Sequence, residues 1–153
     1  WRVWYERLGH LWSRWAPHRA RRLSAGDWAV LVEAYWTLAV VEARRRLLPG
    51  PKLLRLAEGP AISPAGQWTL EKIRRVAWLV EVAANRQPVE IRCLTRSVAL
   101  ARILRRRGVQ AELRMGVKSE AGRIDAHAWV EWQGRVLHDP GEQSGAYVEL
   151  QGV

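Results

Sequence analysis

The sequence predicts an α+β domain in which helices come first and a small antiparallel sheet follows. One change in the spacing of apolar residues, at Gly108, indicates this. Up to Gly108, apolar residues recur at three- and four-residue steps, as in helices packed on a core. After Gly108 the period falls to two, with Val109, Ala111 and Leu113 separated by polar residues. At 153 residues the chain is long enough for one hydrophobic core, so we expect a single domain over 1–153.

Positive charge is concentrated at the N-terminal end. The net charge is +10 overall, and residues 1–22 hold six Arg and one Glu, a net +5. Residues 23–92 hold ten basic and seven acidic side chains, a net charge of +3. Residues 93–153 hold nine basic and seven acidic side chains, a net charge of +2. A groove built for phosphates should lie in the basic part of a chain. Since residues 93–153 are nearly balanced, we expect no nucleic-acid partner.

Residues 1–22 predict a basic, Trp-rich helix. Its apolar residues recur at helical spacing: Trp1, Trp4, Tyr5, Leu8, Leu11, Trp12 and Trp15. Pro17 ends it. Three interpretations stay open, namely a helix packed on the domain, a partner-docking helix and a helix lying on a membrane surface.

Cysteine usage and hydropathy bear on the compartment. The single cysteine excludes an internal disulfide and fits a reducing environment. Apolar runs stay well short of the ~20 residues that span a bilayer, and the N-terminal residues lack a signal-peptide core. These features predict a cytoplasmic location.

Residues 23–92 form the helical part. Ser24 and Asp27 can cap a helix from about Asp27 to Leu48, and Pro49-Gly50-Pro51 stops it. Its expected core face is Trp28, Leu31, Val32, Tyr35, Leu38, Val41 and Leu48. We expect Arg44, Arg45 and Arg46 to interact with the negative helix end rather than with a ligand. A short helix at 52–58 and a helix from Trp68 or Thr69 to Ala84 follow.

Residues 93–153 hold the candidate chemistry. A helix should begin near Cys93 and end at Gly108, which suits a left-handed cap. Strands are predicted over 109–117, 126–132, 135–139 and 146–150. At the start of the helix, N–H groups and the positive dipole end favour a thiolate on Cys93.

Cys93, His127 and Asp139 supply a thiol, an imidazole and a carboxylate in chain order. A nucleophilic site needs these three groups, because the base takes the thiol proton and the acid orients the base. Each residue alone has an ordinary interpretation: a small buried hydrophobe, a hydrogen-bonded strand residue and a turn residue before Pro140. Their combination, with the cysteine at a helix start, favours a catalytic triad.

The hairpin between His127 and Asp139 has two conceivable registers. A two-residue loop, Gln133-Gly134, would pair Trp132 with Arg135 and turn Asp139 to the other face. A three-residue loop with Gly134 left-handed would place His127 opposite Asp139. The catalytic hypothesis requires the three-residue loop, in which His138 faces away.

Other site classes find little support in the sequence. The histidines do not pair with the cysteine at ligand spacing, so we expect no metal, and without a Walker-type loop we expect no nucleotide cofactor. For an oxyanion hole the N–H of Cys93 is one donor, and Gln87 and Asn85 are candidates for the second.

The blocks CLTRSVALARILRRRGVQAELRMGV, HAWVEW and HD, with LSAGDWAVLVEAYWTLAVVEARRRLLPG upstream, resemble the transglutaminase-like cysteine peptidases of lasso-peptide biosynthesis. The resemblance covers residues 23–150. It implies a transglutaminase-like, papain-like core in which the nucleophile-bearing helix packs on the sheet. The nucleophile, base and orienting acid of the family fall on Cys93, His127 and Asp139.

The resemblance also implies a function and partners. Such peptidases remove the leader from a ribosomal precursor peptide before an ATP-dependent cyclase closes the ring. The leader is presented by a small recognition-element protein, which we expect to be separate from this chain, and the cyclase is a further candidate partner. Two alternatives remain open on the residues alone: a transglutaminase-like acyltransferase and a non-catalytic basic binding module.

Overall fold

The computed structural model describes residues 23–58, 66–120, 123–137 and 147–149. The helix predicted for residues 1–22 lies outside them, as do His138 and Asp139. In the described part, four α-helices precede a small antiparallel sheet, which confirms the α+β class. None of the described helices combines the length and the hydropathy that crossing a membrane requires.

Helix α1 (Ala25–Leu47) begins at the predicted cap. The hydroxyl of Ser24 accepts a hydrogen bond from the N–H of Asp27 at 3.1 Å, and the carboxylate of Asp27 accepts from the N–H of Ser24 at 2.9 Å. This reciprocal pair satisfies two of the helix's unpaired donors. The same carboxylate binds the guanidinium of Arg75 through two 3.1 Å contacts and so ties the start of α1 to the helix Leu70–Ala84.

The buried face of α1 is narrower than its apolar pattern predicts. Ala34, Leu38 and Val41 are buried, whereas Trp28 and Val32, which we expected in the core, are 55% and 54% exposed. Helical periodicity specifies which residues share a side of the helix, but the neighbouring elements decide how much of that side is covered.

The remaining helices follow the predicted breaks. They are α2 (Gly50–Leu54), continued by a 3₁₀ turn (Arg55–Glu58), α3 (Leu70–Ala84) and α4 (Cys93–Arg106). Thr69 caps α3 with its hydroxyl, which accepts from the N–H of Lys72 at 3.3 Å. Gly108 follows α4 with a φ of 76°, the left-handed conformation expected of it.

The strands are β1 (Glu112–Glu120), β2 (Arg123–Trp132), β3 (Arg135–Val136) and β4 (Val148–Glu149), in the order β3-β2-β1-β4. Side chains of α1, α3, α4 and one face of the sheet form the core. Its largest fully buried members include Leu38, Val41, Ile73, Val80, Val98, Ile103, Leu104, Val130 and Leu137.

The β2–β3 hairpin has a two-residue loop, so the register required by the catalytic hypothesis is wrong. Trp132 pairs with Arg135 and Glu131 with Val136. Gln133 and Gly134 have φ values of 51° and 70°, and a type I′ turn requires positive φ at both positions.

Burial explains the choice of register. The N–H of Leu137 donates to the carbonyl of Val130 at 2.9 Å, which sets these two residues side by side. Both lie in the core, with 2% and 1% of their surface exposed. The three-residue loop would instead have paired Leu137 with Trp129. The observed register therefore does not support the predicted placement of Asp139 opposite His127. Asp139 itself lies outside the described residues.

Candidate active site

Cys93 is the first residue of α4 and is partly buried. Arg92 precedes it in extended conformation and provides no side-chain cap. The N–H groups of a helix's first turn have no partner within the helix. At this end they are available to a negative charge on the sulfur or on a substrate oxygen nearby.

The first turn of α4 is anchored by the side chains of three consecutive residues, Thr95, Arg96 and Ser97. The hydroxyl of Thr95 donates to Glu42 of α1 at 2.9 Å. The guanidinium of Arg96 binds Glu81 of α3 at 2.7 Å and the carbonyl of Ile91 at 2.9 Å. The hydroxyl of Ser97 donates to a carbonyl of β2 at 2.8 Å. The start of the helix is thus held from three sides.

Glu42 is a buried carboxylate at the centre of this anchoring, with only 4% of its surface exposed. The Arg45 guanidinium contacts it at 2.7 and 2.9 Å. These bonds, helped by the Thr95 hydroxyl and opposed by burial, lower the pKa of Glu42 from 4.5 to about 2. The carboxylate is therefore ionised at neutral pH and accepts the hydroxyl of Thr95 as a charge-assisted bond.

The bond from Ser97 reaches β2 at Ala128, the residue after His127. Ser97 is four residues from Cys93, so the two side chains project from the same side of α4 about one turn apart. The carbonyl of Ala128 points in the same direction as that of Val130, where the β3 ladder is bonded. Ser97 therefore binds β2 at an edge that the short strand β3 no longer covers. Cys93 lies one helical turn before the donor of this helix–strand bond, and His127 lies one residue before its acceptor.

His127 lies on the sheet face that carries Trp129, opposite to the face of Val130. Its ring is stacked near Trp129, with centroids 6.1 Å apart, and lies 5.2 Å from the ring of Tyr147. The hydroxyl of Tyr147 donates to Asp125 at 2.6 Å, which holds the phenol ring in place. The imidazole is partly buried within this aromatic frame.

Gly116 pairs with His127 across the β1–β2 ladder and makes room for this frame. A Cβ at Gly116 would lie 2.8 Å from the Cβ of Tyr147 and 3.0 Å from Cη2 of Trp129. Both distances are too short for ordinary packing, so only glycine allows the two rings to take these positions.

The other predicted residues are placed as follows. Gln87 is partly buried, and its amide nitrogen donates to the carbonyl of Tyr35 at 2.8 Å. That bond fixes the side chain against α1 and uses one of its two amide hydrogens. Asn85 is exposed at the C-terminal cap of α3. Their roles as oxyanion donors stay predictions, as does the role of Asp139.

Sequence reasoning missed Ser97, Glu42 and Gly116. The spacing of Ser97 from Cys93 was a usable signal, because residues four apart on a helix share a face. Glu42 is 53 residues from Thr95, and its hydrogen bond follows from packing alone.

The comparisons with known proteins identify the superfamily of the chain. The family model described as the transglutaminase-like superfamily matches residues 28–151, which include both Cys93 and His127. The chain belongs to the transglutaminase-like superfamily. Members commonly act as cysteine proteases or acyltransferases on a papain-like core. Neither a search of curated proteins nor one of solved structures gives a significant match.

Proposed function

We propose that this chain is a cysteine endopeptidase that removes the leader peptide from a ribosomally made lasso-peptide precursor before macrocyclisation. The observation that carries the proposal is the anchored start of α4: Cys93 opens a helix that Ser97 joins to β2 beside His127. The superfamily match over residues 28–151 supports thiol chemistry at this position.

The proposed reaction has two steps. The sulfur of Cys93 attacks the carbonyl carbon at the leader–core junction, and His127 accepts the thiol proton. His127 then protonates the leaving amine of the core, which leaves the leader bound to Cys93 as a thioester. Water hydrolyses the thioester, releasing the leader with a free carboxylate and regenerating the thiol. In this proposal the N–H of Cys93 and either Gln87 or Asn85 bind the oxyanion. Asp139 is assigned to orient the imidazole on the family resemblance alone, because the two-residue loop removes the register argument for it.

The proposed partners follow from the same assignment. The substrate is the leader–core precursor, presented by a separate recognition-element protein. The freed core amine is the group that an ATP-dependent cyclase would use next. The reaction itself needs no cofactor, because thiol attack, proton transfer and hydrolysis are all supplied by side chains and water.

The test is single-turnover cleavage of the cognate leader–core precursor, with its recognition-element protein present. Mass spectrometry in ¹⁸O-labelled water identifies the products. Leader acid carrying one label, together with core bearing a free amine, is the expected result, and Cys93→Ala should form neither. Leader joined to an added primary amine, without the labelled acid, would identify an acyltransferase instead. If the folded wild-type chain yields neither product, the proposal is wrong.

A further inference from the structure

An exposed apolar stripe runs along α1. Trp28, Val32, Trp36 and Val40 follow one another at four-residue steps and are 55%, 54%, 64% and 47% exposed. At 1.5 Å per residue the stripe is about 18 Å long, the length of a helical segment of about 12 residues. Exposed apolar patches of this kind mark interaction sites, whereas single exposed apolar residues need no explanation.

A groove with an arginine rim adjoins the C-terminal half of the stripe. It has a volume of about 210 Å³ and lies between α1, the 3₁₀ turn and α4. Trp36 and Val40 line it together with Arg44, Arg102 and Arg106. The groove lining therefore combines apolar side chains with three guanidinium groups.

Two of these arginines are held in place. Arg102 donates to the carbonyl of Leu56 at 3.0 Å, and Arg106 lies 3.5 Å from a carboxylate oxygen of Glu33. Arg44 is exposed. Fixed guanidinium groups beside an apolar wall suit carboxylates presented at defined positions, because the fork of N–H donors matches carboxylate geometry.

The groove faces away from the candidate active site. Arg102 is nine residues from Cys93, which at 3.6 residues per turn places the two side chains about 180° apart around α4. Ser97, on the side of Cys93, contacts β2, whereas Thr95, on the side of Arg102, contacts α1. A molecule bound in the groove would therefore leave Cys93 open to its substrate.

We propose that this face docks a partner protein through an amphipathic segment whose apolar side chains are flanked by Asp and Glu. Charge complementarity selects this occupant. Residues 1–22 carry a net +5 and a second copy of the chain carries +10, so both would be repelled by the arginine rim. The concave groove suits a narrow protein segment better than a flat anionic membrane. Docking here is independent of the chemistry proposed for Cys93.

The test measures binding of two labelled 18-residue peptides to the full-length chain by fluorescence anisotropy at low ionic strength. Both peptides carry Leu at helical i, i+3, i+4 and i+7 positions; one has Glu elsewhere and the other Lys. The Glu peptide should bind at least ~tenfold more tightly, with a Kd that rises with salt. Trp36→Ser should weaken it ~tenfold or more, as expected for a central aromatic anchor. Arg44→Glu should reduce or reverse the preference for the Glu peptide.

Two exposed residues outside the groove provide matched controls. Ile124→Ser and Arg74→Glu should bind the Glu peptide like wild type, since Ile124 lies on β2 and Arg74 on α3. Circular dichroism and iodoacetamide labelling of Cys93 should be unchanged in all four variants. The proposal is overturned if the two peptides bind equally or not at all, or if Trp36→Ser binds like wild type. Tighter binding of anionic phosphatidylglycerol vesicles or of a peptide of residues 1–22, or self-association in sedimentation, would overturn it as well.

Discussion

The hydroxyl of Ser97 donates a 2.8 Å hydrogen bond to the main-chain carbonyl of Ala128. This one contact joins the helix that starts with Cys93 to the strand that carries His127, and both of its partners are buried. It fixes the helix that carries the thiol against the strand that carries the imidazole, because each group is attached to a rigid element on one side of the bond.

Ser97→Ala should lower cleavage more than its effect on stability accounts for. The change leaves a buried carbonyl unsatisfied, at a cost of ~1–3 kcal/mol. It also releases the first turn of α4 from β2, and small misplacements of catalytic groups reduce rates by up to ~100-fold. We expect a ~10–100-fold lower single-turnover rate in the folded protein.

Ser24→Ala is the matched control for Ser97→Ala. It removes the cap of α1 at a similar cost of ~1 kcal/mol, at the far end of the helix from Glu42. Its cleavage rate per folded molecule should equal that of wild type. Equal rates for both variants would remove Ser97 from any positioning role.

Glu42 should make stability fall in acid. Its pKa is about 2 in the folded protein and 4.5 ordinarily, so the unfolded chain binds the proton more tightly. The stabilisation, on the order of 3 kcal/mol, is complete above pH ~5 and is lost as pH falls toward ~2. Asp27, whose pKa Arg75 also lowers to about 2, contributes in the same window. In Glu42→Gln, the free energy of unfolding measured with urea should therefore fall less steeply with decreasing pH than in wild type.

The exposed Glu90 provides the control for the pH profile. Glu90→Gln should keep the wild-type dependence between pH 5 and pH 2. A Glu42→Gln profile parallel to that of wild type would show that the Arg45–Glu42–Thr95 contacts do not stabilise the fold.

Gly116→Ala should disturb the frame around His127. The added methyl group meets the Cβ of Tyr147 at 2.8 Å, and Cη2 of Trp129 and the carbonyl oxygen of Val148 at 3.0 Å, so the main chain of β4 must move as well as the Trp129 ring. Overpacking of this kind costs ~1–3 kcal/mol, and we expect cleavage to fall along with stability. Gly50→Ala, where nothing lies within 4 Å of the new Cβ, should be close to neutral. Thermal unfolding and single-turnover cleavage of both variants provide the measurement, and a Gly116→Ala protein indistinguishable from Gly50→Ala would contradict the contacts.

Asp139→Asn tests the third member of the proposed triad. The change is isosteric, so circular dichroism should be unchanged while the orientation of His127 is lost. In a serine-protease triad such a change lowers turnover by ~10⁴. A thiol ionises more readily than a hydroxyl, so we expect a smaller loss of ~10–10³, or ~1.4–4 kcal/mol of barrier. Cys93→Ala and His127→Ala should be more severe. Wild-type rates in folded Asp139→Asn would assign Asp139 to the turn before Pro140.

The sequence by itself determined the features that depend on neighbours along the chain. The capped helix starts at Ser24 and Thr69 and the left-handed end at Gly108 were predictable, because capping is settled within a few residues. The change of apolar period at Gly108 was enough to place helices before strands, because periodicity is also a property of neighbouring residues in the chain.

Only the tertiary structure decided the hairpin register, the exposure of Trp28 and the burial of Glu42. The loop at Gln133 and Gly134 admits either register locally, and burial of Leu137 beside Val130 selects the two-residue form. Trp28 has the spacing of a core residue, yet no packed element covers it in the described part of the chain. Glu42 is ionised inside the protein because packing brings Thr95 to it beside Arg45. Such outcomes depend on which distant surfaces meet, and periodicity along one segment carries no information about its partners.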